Sequence, residues 1–282
     1  MIHEEHGAPR GGLDSTSLLR PLAGLGTLAN FIRKTLVIAE LEARKLRHDP
    51  TELFTRAVQP ALWLLVFGQV FTRTRAIPTG DVRYIDFMTP GILAQSVLFI
   101  AIFSGIAIIW ERDLGIVHKF LASPTPRTAL VLGKALSAGV RALSQALIIF
   151  VLALILGVRV NWHPLALLGV LAAVILGAIL FSTFSLIIAC LVKTRERFMG
   201  IGQVLTMPLF FASNAIYPID IMPPWLKVLA QVNPLSYEVD ILRTLMIGQP
   251  SASSLLLDFG VLLAVSTGLI LIGAKLYPRV VV

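Results

Sequence analysis

The dipeptide Gly133-Lys134 has the types that close a phosphate-binding loop, whose chemistry would be grip on the phosphates of ATP. That loop also needs a glycine five positions before Gly133 and a hydroxyl after the lysine, to cradle phosphate and hold magnesium. Here those positions are Thr128 and Ala135, so the chain does not hydrolyse ATP by that route. Other reactive constellations are missing too. There is no HExxH pair for zinc and no GxSxG elbow for a nucleophilic serine. Cys190 is the single cysteine, which rules out an intrachain disulfide and a multi-cysteine metal site. No catalytic residue, metal ligand or cofactor site is expected in this chain. If ATP drives it, another chain must supply the ATPase.

The remaining candidate chemistry is recognition and charge. Glu111-Arg112-Asp113 opens a short polar island, Trp110 to Lys134, between two long apolar runs. Leu114, Val117, Phe120 and Leu121 follow at helical spacing, and Pro124 and Pro126 end that helix. Such a helix can lie across the end of a membrane bundle with its apolar face offered to a partner; an ordinary loop has the same outline. Arg141 stands inside the third apolar run. It either faces a cavity or partner, or snorkels to the interface from a helix that starts near Thr128. No Asp or Glu falls deep in an apolar run, which argues against a proton-driven carrier. The few amides and hydroxyls inside the runs, Gln59, Gln95 and Gln203 among them, need partners in lipid and should face other helices or a central path.

The elements that would position these groups are membrane helices. The chain has 282 residues, of which 56% are hydrophobic and 14% charged, with a mean hydropathy of +0.82. This balance excludes a soluble domain. Six apolar stretches, about 53–72, 87–110, 135–158, 165–191, 200–217 and 255–275, are each near the length that crosses the hydrocarbon core. Seventeen of the 24 lysines and arginines fall on one side of that arrangement, which should be the cytoplasmic side, with both termini. The basic charge is spread over loops, which argues against nucleic-acid binding. Residues 1–27 read as a mobile tail without a cleavable signal. Residues 28–48 read as an amphipathic helix in the membrane interface. Gly169, Ala173 and Gly177 form a ridge of small residues suited to close helix packing. Segment 213–250 is too apolar for a water-exposed loop; Pro223-Pro224 and Asn233-Pro234 cut it into two short helices that should dip into the outer leaflet or cap the bundle.

Two stretches carry a family resemblance. WERDLGIVHKFLASPTPRTALVLGK resembles the cytoplasmic loop of type-2 ABC exporter permeases, the daunorubicin-exporter-like drug and lipid branch, through Glu111, Arg112, Gly115, Leu121, Pro124, Arg127, Gly133 and Lys134. SNAIYPIDIMPPWLKVLAQVNPLSYEVDILR resembles that family's outer signature, through Tyr217, Pro218, Pro223, Trp225, Asn233, Pro234, Leu235, Tyr237, Asp240 and Arg243. The likeness covers roughly residues 30–278; Pro126 departs from it and should shorten the turn after the loop helix.

The resemblance implies an all-α membrane protein. It would have six spans over residues 52–278, an interfacial helix, a cytoplasmic coupling helix and outer re-entrant helices before the last span. It implies a second permease copy as a homodimer and two soluble ATPase subunits that bind ATP and magnesium. Glu111, Arg112, Leu114, Gly115, Val117, Lys119, Phe120 and Leu121 would then form the coupling surface. Substrate would pass between protomers, near Gln59, Gln95, Phe99, Gln203 and Phe210. The expected activity is export of an amphipathic drug-like or lipid-like molecule across the cell membrane. The alternatives are a polysaccharide or glycolipid exporter, and a membrane scaffold that transports nothing.

Overall fold

The computed structural model describes residues 50–117, 127–192, 194–249 and 253–277. The expected tail (1–27) and interfacial helix (28–48) lie outside these residues. Among the described residues every regular element is helical: α1 (Pro50–Leu62), a π-helical turn (Trp63–Gly68), α2 (Gln69–Thr74), α3 (Tyr84–Ser104), α4 (Ile106–Asp113), α5 (Arg127–Ile155), α6 (Pro164–Leu191), α7 (Arg195–Phe211), a 3₁₀ turn (Ile219–Ile221), α8 (Pro224–Val232), α9 (Pro234–Ile247) and α10 (Leu255–Leu276).

Among the described residues, four helical stretches are long and apolar enough to cross a membrane: Tyr84–Asp113, Leu130–Ile155, Pro164–Leu191 and Leu255–Leu276. The first of these is α3 and α4 in series. Its α-helical pattern is interrupted at Gly105, where an added Cβ would meet the Ser185 hydroxyl and the Phe198 ring. The other two expected stretches take a different form. Residues 50–74 are helical but carry Pro60 and the π-helical turn. A π-turn alters the phase of side chains along a helix, and such turns are concentrated at functional sites. The fifth stretch is helical only as far as Phe211, so α7 has 17 residues and a length of about 25 Å, against about 30 Å of hydrocarbon.

The tightest pairing is α5 on α6. Ala135, Ala138, Ala142, Ala146 and Ala153 recur on one face of α5 and are buried, which lets the backbones approach. The small-residue ridge of α6 receives α9. A Cβ on Gly169 would lie 2.7 Å from a Leu245 methyl, and one on Gly177 would lie 2.3 Å from a Glu238 carboxylate oxygen. The two helices therefore run antiparallel, and α9 reaches down to Gly177, the fourteenth of the 28 residues of α6. At the opposite end of α9 the Asn161 N–H donates to the Met246 carbonyl at 2.6 Å. Arg83 joins the ends of α3 and α5 there, by an ion pair to the buried Asp86 at 2.8 Å and a hydrogen bond to the Gly157 carbonyl at 2.6 Å.

Candidate functional site

The residues of the charged triplet, Glu111, Arg112 and Asp113, each find a different anchor. Glu111 forms an ion pair with Lys134 at the other end of the island. Arg112 donates to the Val192 carbonyl at 3.3 Å, after the end of α6. Asp113 accepts from Arg195 at the start of α7, at 2.7 and 3.1 Å, and the Arg195 guanidinium lies 4.0 Å from the centre of the Trp110 ring. Exposed pairs of this kind are screened by water, so they fix register more than stability. Helix α4 stops at Asp113 because Gly115 turns left-handed, with φ of +70°. Leu114 stands 69% exposed in that turn, whereas Val117 is fully buried with Ile108, Ile109 and Phe198. Lys119, Phe120 and Leu121 lie outside the described residues.

The five expected path residues separate into two groups. Phe210 is buried, with its ring edge-on to Trp63 at 5.8 Å, which joins the first and fifth apolar stretches. Gln95 is buried within α3, and Phe99 is half-buried beside Phe103 at 6.1 Å. Gln59 and Gln203 are exposed on α1 and α7. Around them Leu62, Val66, Val204 and Met207 are exposed too. Among the described residues neither amide makes a hydrogen bond, and both stand on an apolar surface.

The outer signature is a clasp between helices. Asn233 donates from its amide to the carbonyls of Leu209 (2.6 Å) and Ala212 (3.3 Å), ending α7, and accepts from the Leu235 N–H at 3.0 Å, starting α9. Pro223 and Pro234 stand at the entries of α8 and α9, where a missing N–H costs nothing. Asp240 accepts from the Asn214 amide at 2.6 Å and lies 3.6 Å from Arg243. Arg243 donates to the Asn214 carbonyl at 2.7 Å and lies over the Phe87 ring at 3.9 Å. The Tyr237 hydroxyl donates to the Gln231 carbonyl at 2.6 Å, and the Tyr217 hydroxyl donates to the Phe211 carbonyl. Trp225 and Pro223 are the exposed members. These residues bind the chain to itself and leave little free chemistry.

Sequence reasoning missed Glu238. It is fully buried against Gly177, and neither carboxylate oxygen has a hydrogen-bond partner. The apolar runs themselves hold no deep carboxylate; the short helix α9 brings one to mid-height instead. A signal for it existed, because Leu235, Glu238, Leu242 and Leu245 share one helical face.

Arg141 lies fourteen residues beyond Arg127, the first residue of α5, and lines a cavity with Lys134 and Glu111.

The chain matches the ABC-2 type transporter family over residues 33–247. It is 28% identical over 219 residues to the ycf38 transport permease of Cyanophora paradoxa, covering 76% of this chain and 74% of that protein. It is 26% identical over 233 residues to the daunorubicin resistance ABC transporter permease DrrB1 of Streptomyces coeruleorubidus, covering 83% and 80%. Nodulation protein J of Rhizobium leguminosarum bv. viciae is 27% identical over 183 residues, covering 64% and 69%. Permeases of this family work with an ABC ATPase and are not themselves catalytic. With its long apolar helices, its root of charged anchors and this family match, the chain belongs to the ABC-2 type transporter family, as a multi-pass membrane permease.

Proposed function

We propose that this permease is the membrane half of an ATP-driven exporter, with an amphipathic drug-like or lipid-like molecule as cargo. Two copies pair through the exposed face of α1, the π-helical turn and α7, and cargo moves between them. The carrying observation is the pair of unpartnered amides, Gln59 and Gln203, on that apolar face. An amide facing lipid has no partner, whereas one facing a protomer boundary or a wet path does. The daunorubicin resistance role named for DrrB1 supports the choice of cargo.

In this reading the chain crosses the membrane six times with both termini in the cytoplasm. Residues 50–74 and α7 supply two crossings, and α8 with α9 forms a re-entrant pair from the outer side. Two ATPase subunits, holding ATP and magnesium, seat the segment around 112–122 in a groove. The anchors of Glu111, Arg112 and Asp113 convey their motion to α4, α5 and α7. Helix-in-groove docking needs only an apolar face and a few charges for register.

The test is ATP-dependent efflux of a fluorescent amphiphile from vesicles holding the permease and its ATPase, together with disulfide cross-linking of Gln59→Cys and Gln203→Cys between copies. Cross-linked dimers and export weakened by Gln203→Leu are expected. Monomers under oxidation, with export unchanged in Gln59→Leu and Gln203→Leu, would overturn the reading.

A further inference from the structure

Glu238 carries a carboxyl that neither the proposed path nor the outer clasp uses. It is fully buried, and among the described residues neither oxygen has a hydrogen-bond partner. Its seat is a glycine. A Cβ on Gly177 would lie 2.3 and 2.5 Å from the two oxygens, so the carboxyl rests on bare backbone of α6.

The elements packed against α9 bring it no counter-charge. Helix α6 holds no charged residue along its whole length. Helix α3 brings Tyr84 and Asp86, which are engaged by the Ile216 carbonyl and by Arg83. Helix α10 brings Asp258 in its first turn, where it accepts from Ser253, and Lys275 in its last. Helix α8 brings Lys227. On α9 itself, Asp240 and Arg243 lie together and are both held by Asn214. Among the described residues none of these groups pairs with Glu238.

An ionised carboxylate buried without a partner costs far more than a neutral acid in the same place, so such a group keeps its proton. Protonated, Glu238 is a small polar group on a glycine. Ionised, it would have to reach water. Leu235, Leu242 and Leu245 share its helical face, so reaching water means lifting that face of α9 from α6.

We infer that Glu238 is a proton-binding site, and that its proton holds α9 on the small-residue ridge of α6. When α9 lifts, the O–H bond of the carboxyl breaks and the proton passes to water. When α9 docks, one proton is taken back. No other reactant is needed. The docked state therefore binds one proton more than the unfolded chain from the ordinary carboxyl range, about pH 4, up to the pH at which the docked carboxyl ionises. Stability is greatest in acid and falls as pH rises through that window. The site goes beyond the proposed export function and can be read without cargo or ATPase.

The test is unfolding of the purified full chain in mixed detergent–SDS micelles, wild type against Glu238→Gln, in steps from about pH 6 to about pH 8, above the ordinary carboxyl range. Glutamine keeps the size and has no proton to lose, and every other titrating group is common to both chains. The unfolding constant of the wild type relative to the variant should rise roughly tenfold per pH unit, the slope of one proton. A ratio constant to within about twofold over the range overturns the proton site. Hydrogen exchange of segment 234–247, again as the ratio of the two chains, reads the docking itself. It should quicken with pH in the wild type relative to the variant, and a ratio independent of pH overturns the proton's hold on α9. Should Glu238→Gln fail to fold, Glu238→Leu takes its place with the same two ratios expected.

Discussion

Replacing Gly177 by alanine puts a methyl group where the Glu238 carboxyl already lies. The new Cβ would stand 2.3 and 2.5 Å from the two oxygens and 2.4 Å from the carboxyl carbon. Ordinary contact begins near 3.4 Å, so the carboxyl must retreat by about 1 Å. It is fully buried, with α3, α6 and α10 packed around α9, and has no open side to move into. Overpacking of this kind costs about 1–3 kcal/mol. In a Glu238→Ala background the obstruction is gone, and the same Gly177→Ala change should be neutral or slightly favourable, by up to about 1 kcal/mol of helix propensity. Glu238→Gln keeps the side-chain size and should not relieve the clash. The assay is reversible unfolding in mixed detergent–SDS micelles followed by tryptophan fluorescence, for the wild type, both single variants and the double variant. A coupling energy of about 1–3 kcal/mol is expected. Additivity to within about 0.5 kcal/mol would show that α9 does not seat its carboxyl on α6.

Three further outcomes follow from the same contacts. Gly91→Ala would drive a Cβ to 2.2 Å from the Ala215 carbonyl oxygen, which is backbone and cannot swing aside; the midpoint should fall by several degrees, while Gly260→Ala, with open space around it, leaves it unchanged or slightly raised. A Gly91→Ala midpoint within about 1 °C of wild type would contradict the close approach of α3 to residue 215. Asn233→Ala removes three hydrogen bonds that end α7 and start α9, and should cost about 1–2 kcal/mol in the same unfolding assay. Leu121→Asp places a charge on the expected docking face; membrane insertion should be normal, with the ATPase lost on co-purification and export lost in vesicles.

The long apolar runs made four of the membrane-length helices readable, because a helix in lipid must satisfy its own backbone and shows itself by length alone. What length could not show was phase. Trp63-Leu64-Leu65-Val66-Phe67-Gly68 is apolar at every position, so no period in it marks the π-helical turn. The early end of α7 was hidden for a different reason: the group that ends it is Asn233, more than twenty residues downstream. Asn233-Pro234 was legible as a helix break, but the carbonyls it would bind were not. Glu238 looked like one polar residue on a short outer helix, and its burial depends on Gly177 in another span. The charged triplet stands out by its place between apolar runs, yet its three separate anchors belong to tertiary structure.

The ion pair from Glu111 to Lys134 closes the neck of the loop between them. The chain leaves the bundle and re-enters it at neighbouring points, whatever lies in between. Loop-closure cost rises only slowly with length, by about 0.6 kcal/mol per doubling. A relative's segment grafted between Val117 and Arg127, with the anchors of Arg112, Asp113 and Val117 kept, should leave the bundle standing and bring its own choice of motor.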